Sequence, residues 1–312
     1  LKSSKKICIS IINKWIERNQ KYNDNLWEID TLSRRIISWI TNSQLIYDEG
    51  DKIYKEKFNK IIFKQINHLI NEIKRSDNYH DKLIGCSAII LVGISYNDEK
   101  YLDFGLELLK KIITSCFDTE YFPKSRNIRQ LVFYLKYFIL LREFLKESFN
   151  EIPEYLDEII FHLGRGYNFV WGSIKQSLLF NGNHNSNLED FDVYLDNQKY
   201  SFKSDHIDLG GYAILKNKNV ILGMDIGPAP ESKFSENYQS GPLSFEAIFK
   251  GSKIICNSGY YQNTSNKLNL ISKSTAAHST LILNNNSIAT FKKNLRGKIL
   301  NKLNFNTLNK NI

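Results

Sequence analysis

This chain has few cysteines, the residues that most often hold small domains together through disulfides or bound metal ions. Its 312 residues include four cysteines, and no two of them form a CxxC pair. Such scattered cysteines argue against a disulfide scaffold and against a zinc knuckle. The longest apolar stretch, residues 83–94, contains Gly85 and Ser87 and is shorter than the ~20 residues that a membrane span needs. We therefore expect a globular protein with no membrane span, long enough to bury two hydrophobic cores.

The common nucleotide-binding and catalytic motifs are also missing. The sequence contains no GxGxxG, GxxxxGK[ST], HExxH or GxSxG pattern. The Gly210-Gly211 pair stands alone and is typical of a turn that leads into a strand. Basic residues do not alternate with aromatic residues in a stripe, which disfavours nucleic acid as a partner.

Positive charge is in excess, with 42 Lys and Arg against 33 Asp and Glu and a net charge of +9. A basic balance is typical of proteins that bind a polyanion. However, the lysines are spread along the whole chain among acidic residues, together with many Ile and Asn, as in a protein from an AT-rich genome. Only residues 292–310 carry basic residues without any Asp or Glu. Charge alone leaves both explanations open.

Hydrophobic periodicity predicts helices in the first half of the chain. Apolar residues recur with i, i+3, i+4, i+7 spacing in five stretches that are separated by turn residues or prolines. These stretches are residues 7–16, 62–73, 102–116, 128–139 and 156–167. We expect six or seven antiparallel helices in a helical hairpin array or an incomplete α/α barrel. No strict repeat is present, which disfavours a solenoid.

The hydrophobic period changes from 3.6 to 2 in the second half. Short alternating stretches bounded by Asn- and Gly-rich turns predict strands at residues 212–215, 220–222, 243–249, 253–256 and 279–283. The sequence thus predicts an α+β multidomain protein. Its parts would be a helical domain at residues 1–175, a connecting segment at residues 176–205 and an antiparallel β domain at residues 206–312. Residues 183–204 of the connecting segment should be exposed.

Three motifs in the predicted β domain follow one another in a distinctive order. They are ENYQSGPLSFEAIF at residues 236–249, KIICNSG at residues 253–259 and STAAHSTLIL at residues 274–283. In this order they resemble the "HAxxLSFE", "V(N/D)xG" and "AAHST" strands in the C-terminal domain of the heparinase II/III-like polysaccharide lyases. The helical half is similar to that family at RRIISW, residues 34–39, and at FPKSRN, residues 122–127.

The resemblance implies an incomplete α/α toroid packed on an antiparallel β-sandwich, with a substrate cleft between them. It also implies that the sandwich continues past residue 312, so that the chain is a C-terminally truncated fragment. The chain starts at Leu1 and its one methionine is Met224, so we expect the native N-terminus to lie upstream. Family members are bacterial proteins, and the resemblance favours a periplasmic or otherwise exported location.

The implied function is that of a polysaccharide lyase that acts by β-elimination on a uronate-containing acidic glycan, such as a glycosaminoglycan. The alternative is a catalytically silent relative that binds acidic glycan or has a structural role. Nucleic-acid binding is a distant third interpretation. The sequence does not indicate an oligomeric state.

Some family members hold a structural zinc ion in the sandwich, and its ligand positions correspond here to Gln239, Asn257 and His278. One imidazole and two neutral amides make a poor zinc site, since tight sites use imidazole or anionic ligands. We therefore expect no metal and no other cofactor. Instead, we expect a buried His278 that hydrogen-bonds Asn257 and Gln239.

β-Elimination needs a group that neutralises the uronate carboxylate, a base for the neighbouring proton and an acid for the leaving oxygen. The family positions for a catalytic His and a catalytic Tyr correspond here to Asn237 and to the neighbourhood of Gln130. Neither residue is a useful base, which supports the silent alternative. The remaining candidates are Tyr238, His80, Asn78 and Arg126 for catalysis, Tyr260 or Tyr261 as further bases, and Asn237 and Gln239 for substrate binding.

Overall fold

The computed structural model describes residues 2–172, 174–261, 267–293 and 299–302. Contacts between Cα atoms divide the chain into two compact units. Unit 1 comprises Leu1–Ser115 and Tyr137–Leu156, and unit 2 comprises Cys116–Lys136 and Asp157–Ile312. The domain boundaries expected from hydrophobic periodicity stay a prediction.

Helices occupy most of the first 170 residues, as the periodicity predicts. They are α1 Lys2–Arg18, α2 Asp24–Trp27, α3 Ile29–Thr41, α4 Ser43–Ile46, α5 Lys52–Arg75, α6 Tyr79–Tyr96, α7 Glu99–Cys116, α8 Ile128–Glu147 and α9 Glu154–Tyr167, after which Asn168–Gly172 continue as a π-helical turn. Further helices follow in the second half: α10 Glu189–Asn197 and α11 Lys267–Lys273, with short 3₁₀ turns at Ser232–Phe234 and Thr275–Ala277.

The core of unit 1 is built around α6. Every residue from Leu83 to Gly93 is buried, so this helix is apolar on all sides rather than amphipathic. Buried side chains of α3 and α5, such as Leu32, Ile36 and Leu69, form one hydrophobic cluster with Ile89 of α6. The long apolar stretch of the sequence is therefore a helix buried in the core of unit 1. Within the described residues, no helix is both long and apolar enough to cross a membrane.

The strands of unit 2 form an antiparallel meander. In the order β1-β2-β3-β4-β5 the strands are Asp208–Leu209, Tyr212–Lys216, Val220–Asp225, Phe245–Phe249 and Ser252–Ile255, and a separate hairpin pairs β6 Thr290–Lys293 with β7 Ile299–Lys302. Tyr212 pairs with Asp225, and Gly223 pairs with Glu246. Because strand side chains alternate, Tyr212, Asp225 and Glu246 share the buried face of this sheet. The predicted α+β organisation is confirmed.

Two local expectations were wrong. Residues 279–283 do not form a strand, because an isolated bridge between Leu283 and Asn286 takes the place of a ladder. The connecting segment is also not uniformly exposed, because it contains α10, whose Phe191 and Leu195 are buried. Phe191 packs edge-on against Tyr167 at 5.2 Å between ring centroids. Two buried apolar residues in a short, largely polar helix are too few for periodicity to reveal it.

Candidate functional site

Arg126 is a buried residue of unit 2 that contacts several segments of the chain, and 6% of its surface is exposed. It lies in the loop before α8. Its Nη2 contacts Asp225 Oδ1 at 2.5 Å and donates to the Gly211 carbonyl at 2.7 Å. Its Nη1 donates to the Pro228 carbonyl at 2.7 Å. The guanidinium therefore ties the turn before β2 to the loop after β3, and each of its three nitrogens donates to the protein.

The partners of Arg126 form a closed hydrogen-bond network. Asn181 Nδ2 donates to Asp225 Oδ2 at 2.9 Å and to the Tyr212 hydroxyl at 2.7 Å. The Tyr212 hydroxyl in turn donates to the Arg126 carbonyl. A buried ion pair is tolerated when its remaining polar atoms are satisfied in this way. The arrangement explains Arg126 as a residue that holds the fold, while a contact with substrate stays a prediction.

Tyr238 lies beside this network and is 3% exposed. Burial raises the pKa of its phenol, and the negative charge of Asp225 raises it further against the opposing effect of Arg126. A phenol in this environment keeps its proton at neutral pH. Its environment therefore makes Tyr238 poorly suited to the role of catalytic base, and that role stays a prediction.

Gln239 connects three segments of unit 2 from a position that is 1% exposed. Its Oε1 accepts from the Gly182 N–H at 3.0 Å, and its Nε2 donates to the carbonyls of Gly259 at 2.9 Å and Ser272 at 2.7 Å. The neighbouring Asn237 packs so closely on Gly182 that a Cβ at residue 182 would lie 2.7 Å from the Asn237 Cβ. The amide of Gln239 is thus committed to the fold.

His278 and Asn257 extend the same network. The ring nitrogen Nε2 of His278 lies 3.1 Å from the Ser272 carbonyl, which Gln239 also contacts. Asn257 Oδ1 accepts from the N–H and the hydroxyl of Ser279, both at 3.1 Å. The expected direct hydrogen bonds from His278 to the two amides are therefore replaced by bonds through Ser272 and Ser279. Burial lowers the pKa of His278 to about 4, so its ring is neutral.

The three positions implied to bind metal offer poor donors. Both the Gln239 and the Asn257 carbonyl oxygens already accept hydrogen bonds from backbone N–H groups. In the part of the chain that the structure describes, no three His, Cys, Asp or Glu side chains are grouped so that they could hold a metal ion. These residues do not fit a zinc ion, although the absence of a cofactor stays a prediction.

Asn78 and His80 belong to unit 1, whereas all other candidates belong to unit 2. Asn78 is the N-cap of α6, and its Oδ1 accepts from the His80 N–H at 3.0 Å. An asparagine is common at this position because it satisfies an otherwise unpaired helix N–H. His80 is half-buried in the first turn of the same helix. The cap explains Asn78 structurally, and a catalytic role for either residue stays a prediction.

A cavity of about 250 Å³ in unit 2 contains residues that the sequence did not single out. Its walls are mainly apolar, and Arg129 and His184 are its ionisable residues. The lining comprises Ile128, Arg129, Val132, Phe133, Val170, Trp171, Ser177, Leu178, Asn183, His184, Ser186 and Leu188. The Asn183 carbonyl accepts from the Tyr260 N–H at 2.8 Å, which fixes the position of the adjacent His184. Tyr260 also lies beside Arg129, with its ring centroid 6.0 Å from the guanidinium carbon.

One sequence signal could have revealed Arg129. It is the second residue of α8, and its N–H donates to Asn127 Oδ1 at 3.0 Å. A cation in the first turn of a helix is disfavoured by the helix dipole. An arginine two residues after an N-capping asparagine is therefore not explained by helix stability.

Comparisons with known proteins agree with this architecture. The family model described as "Heparinase II/III-like, C-terminal" matches residues 201–303. A crystal structure of heparinase III superposes with a TM-score of 0.72 at 14% identity, over 91% of this chain and 52% of that chain. A heparan sulfate lyase HepC mutant from Pedobacter heparinus gives a TM-score of 0.71 at 15% identity, over 91% of this chain and 51% of that chain. No curated protein sequence matches significantly.

The fold is thus that of the heparinase III structures, a helical array followed by an antiparallel sheet. Residues 201–303 match the model of the heparinase II/III-like C-terminal domain, which confirms the resemblance indicated by the three sequence motifs. The chain spans about half the length of the solved structures that it matches.

Proposed function

We propose that this chain is part of a polysaccharide lyase that cleaves a uronate-containing acidic glycan by β-elimination. The observation that carries the proposal is the similarity to heparinase III over 91% of the chain. A second similar structure is described as a heparan sulfate lyase, which favours a glycosaminoglycan as substrate. The net charge of +9 is favourable for attraction of such a polyanion. Export from the cytoplasm stays part of the proposal.

The test is an assay for the unsaturated uronate product, which absorbs in the ultraviolet. The full-length protein is incubated with heparan sulfate, alginate and glucuronan, and with a neutral glucan as control. We expect product from at least one uronate polymer and none from the neutral glucan. Absence of product from every uronate polymer would contradict lyase activity.

A catalytically silent glycan-binding protein is the second candidate, and a specific observation favours it. The side chains of Arg126 and Gln239 are committed to internal hydrogen bonds, and Tyr238 holds its proton tightly. For this candidate we expect the protein to migrate more slowly through a gel that contains heparan sulfate and to form no product. Product formation would exclude it.

A further inference from the structure

Arg129 carries a charge that the described part of the protein leaves uncompensated. Burial is the main influence on its guanidinium and lowers its pKa, and the nearby Tyr260 has a smaller, opposing effect. No carboxylate in the described residues pairs with it, in contrast to Arg126, which pairs with Asp225 at 2.5 Å. A half-buried cation without an anion is costly, so such a charge indicates a place for an external anion.

His184 provides a second polar group at the same cavity. Its Nδ1 is buried and has no hydrogen-bond partner among the described residues. Burial and the nearby charge of Arg129 both lower the pKa of His184, so its ring is neutral at neutral pH. Buried polar atoms in proteins are rarely left without partners. An unpaired imidazole nitrogen and a guanidinium without a carboxylate, both in the lining of one cavity, are the groups that a site for a hydrogen-bonding anion would present.

The walls of the cavity limit the kind of anion that fits. Its volume of about 250 Å³ lies just below the ~300–1,000 Å³ of pockets for drug-sized ligands. Trp171, Phe133 and Leu178 line it with apolar surface, which suits the carbon face of a ring better than a small inorganic anion. The first turn of α8 also contributes to the wall, and a helix N-terminus favours negative charge.

We propose that this cavity binds one carboxylated sugar ring of the glycan, with Arg129 holding the carboxylate and His184 accepting or donating a hydrogen bond at the ring. The assignment rests on the proposed function for the identity of the ligand. Arginine is well suited to the carboxylate, because its planar guanidinium can form two parallel hydrogen bonds. The glycan would enter as a polymer, with the apolar wall packing against this one residue.

The first experiment measures binding of D-glucuronate to the full-length protein by NMR, with D-glucose as the neutral control. We expect glucuronate to shift the His184 ring resonances and glucose to leave them unchanged. Arg129→Gln should weaken glucuronate binding about tenfold or more, since a charge-assisted hydrogen bond is lost. The matched control is Arg165→Gln, which removes an arginine of the same unit that contacts His206 at 2.5 Å. Unchanged binding in Arg129→Gln would overturn the proposal.

Thermal unfolding separates a binding role of Arg129 from a structural one. Removal of an uncompensated charge should leave the melting temperature of Arg129→Gln unchanged or raise it. A structural arginine would instead lower it. A lower melting temperature together with unchanged glucuronate binding would assign Arg129 to the fold and refute the site.

The lyase assay keeps this proposal distinguishable from the proposed function. Glucuronate binding that depends on Arg129, in a protein that forms no product from any polymer, supports the site and contradicts lyase activity. Product formation that survives both Arg129→Gln and His184→Gln supports lyase activity and refutes the site. Loss of both binding and product formation in Arg129→Gln supports both proposals.

Discussion

Replacement of Arg126 by methionine should be among the most destabilising single changes in unit 2. Methionine keeps much of the side-chain volume but removes the charge and the donors to Asp225, Gly211 and Pro228. Asp225 is 1% exposed and would be left as a buried carboxylate without a cation. Removal of one partner of a buried ion pair costs about 3–5 kcal/mol. We expect a loss of unfolding free energy of that size.

A second substitution tests the cause. Asp225→Asn in the Arg126→Met background removes the unpaired charge and should recover about 1–2 kcal/mol, because a buried neutral amide is less costly than a buried carboxylate. Arg34→Met is the matched control, since Arg34 is exposed and pairs with Asp30 at 2.9 Å one turn away on the same helix. Such an exposed pair contributes about 0.3–0.5 kcal/mol.

The assay is urea unfolding combined with hydrogen exchange followed by mass spectrometry. Exchange localises the effect, and we expect faster exchange in residues 208–227 of the Arg126→Met protein. A loss of less than about 1 kcal/mol would show that the network does not depend on the ion pair. A double variant no more stable than Arg126→Met would show that the charge of Asp225 is not the cause.

Four further predictions concern the network around Gln239. Gly182→Ala should lower the melting temperature clearly more than Gly251→Ala, because both glycines have positive φ but a Cβ at residue 182 would meet neighbours at 2.6–2.9 Å, whereas residue 251 is open. Gln239→Leu should cost about 1–3 kcal/mol in urea unfolding, because it leaves the buried Gly182 N–H without its acceptor and removes one donor each from the carbonyls of Gly259 and Ser272. Atomic emission should show substoichiometric zinc in the unaltered protein, and stoichiometric zinc would refute our view of its ligands. Burial lowers the pKa of His278 to about 4, so the stability that the neutral ring contributes is present above about pH 6.5 and is lost as pH falls toward 4. His278→Asn should therefore flatten the pH dependence of the urea midpoint between these pH values. An unchanged pH dependence would contradict a buried, neutral His278.

Amphipathic helices were predictable because burial of one face leaves a periodic pattern of apolar residues in the sequence. The stripes at residues 62–73 and 128–139 correspond to parts of α5 and α8. This pattern does not reveal a helix that is buried on all sides or one that buries very few residues. Helix α6 is apolar all round, and α10 buries only Phe191 and Leu195. Residues 279–283 alternate as a strand does, but no long ladder forms there in the structure.

The candidate site was predictable only in part. Motif positions correctly indicated that Gln239 and His278 share one region of unit 2, where both contact the Ser272 carbonyl. The motifs did not indicate that their polar atoms are already satisfied by backbone groups. Arg129 and His184 were missed, because residues 55 positions apart in sequence reveal nothing of a shared cavity until the chain is folded.

The sequence by itself determined the helical first half, the antiparallel second half and the resemblance of residues 201–303 to a heparinase II/III-like C-terminal domain, because these follow from hydrophobic period and from motif order along the chain. Only the tertiary structure decided which polar residues are available for chemistry. Arg126 lies in the loop before α8, and Arg129 lies three positions later in the first turn of that helix. Asp225 forms an ion pair with Arg126, whereas no described carboxylate pairs with Arg129. Whether a charge is satisfied depends on groups distant in sequence, and that information exists only in the folded chain.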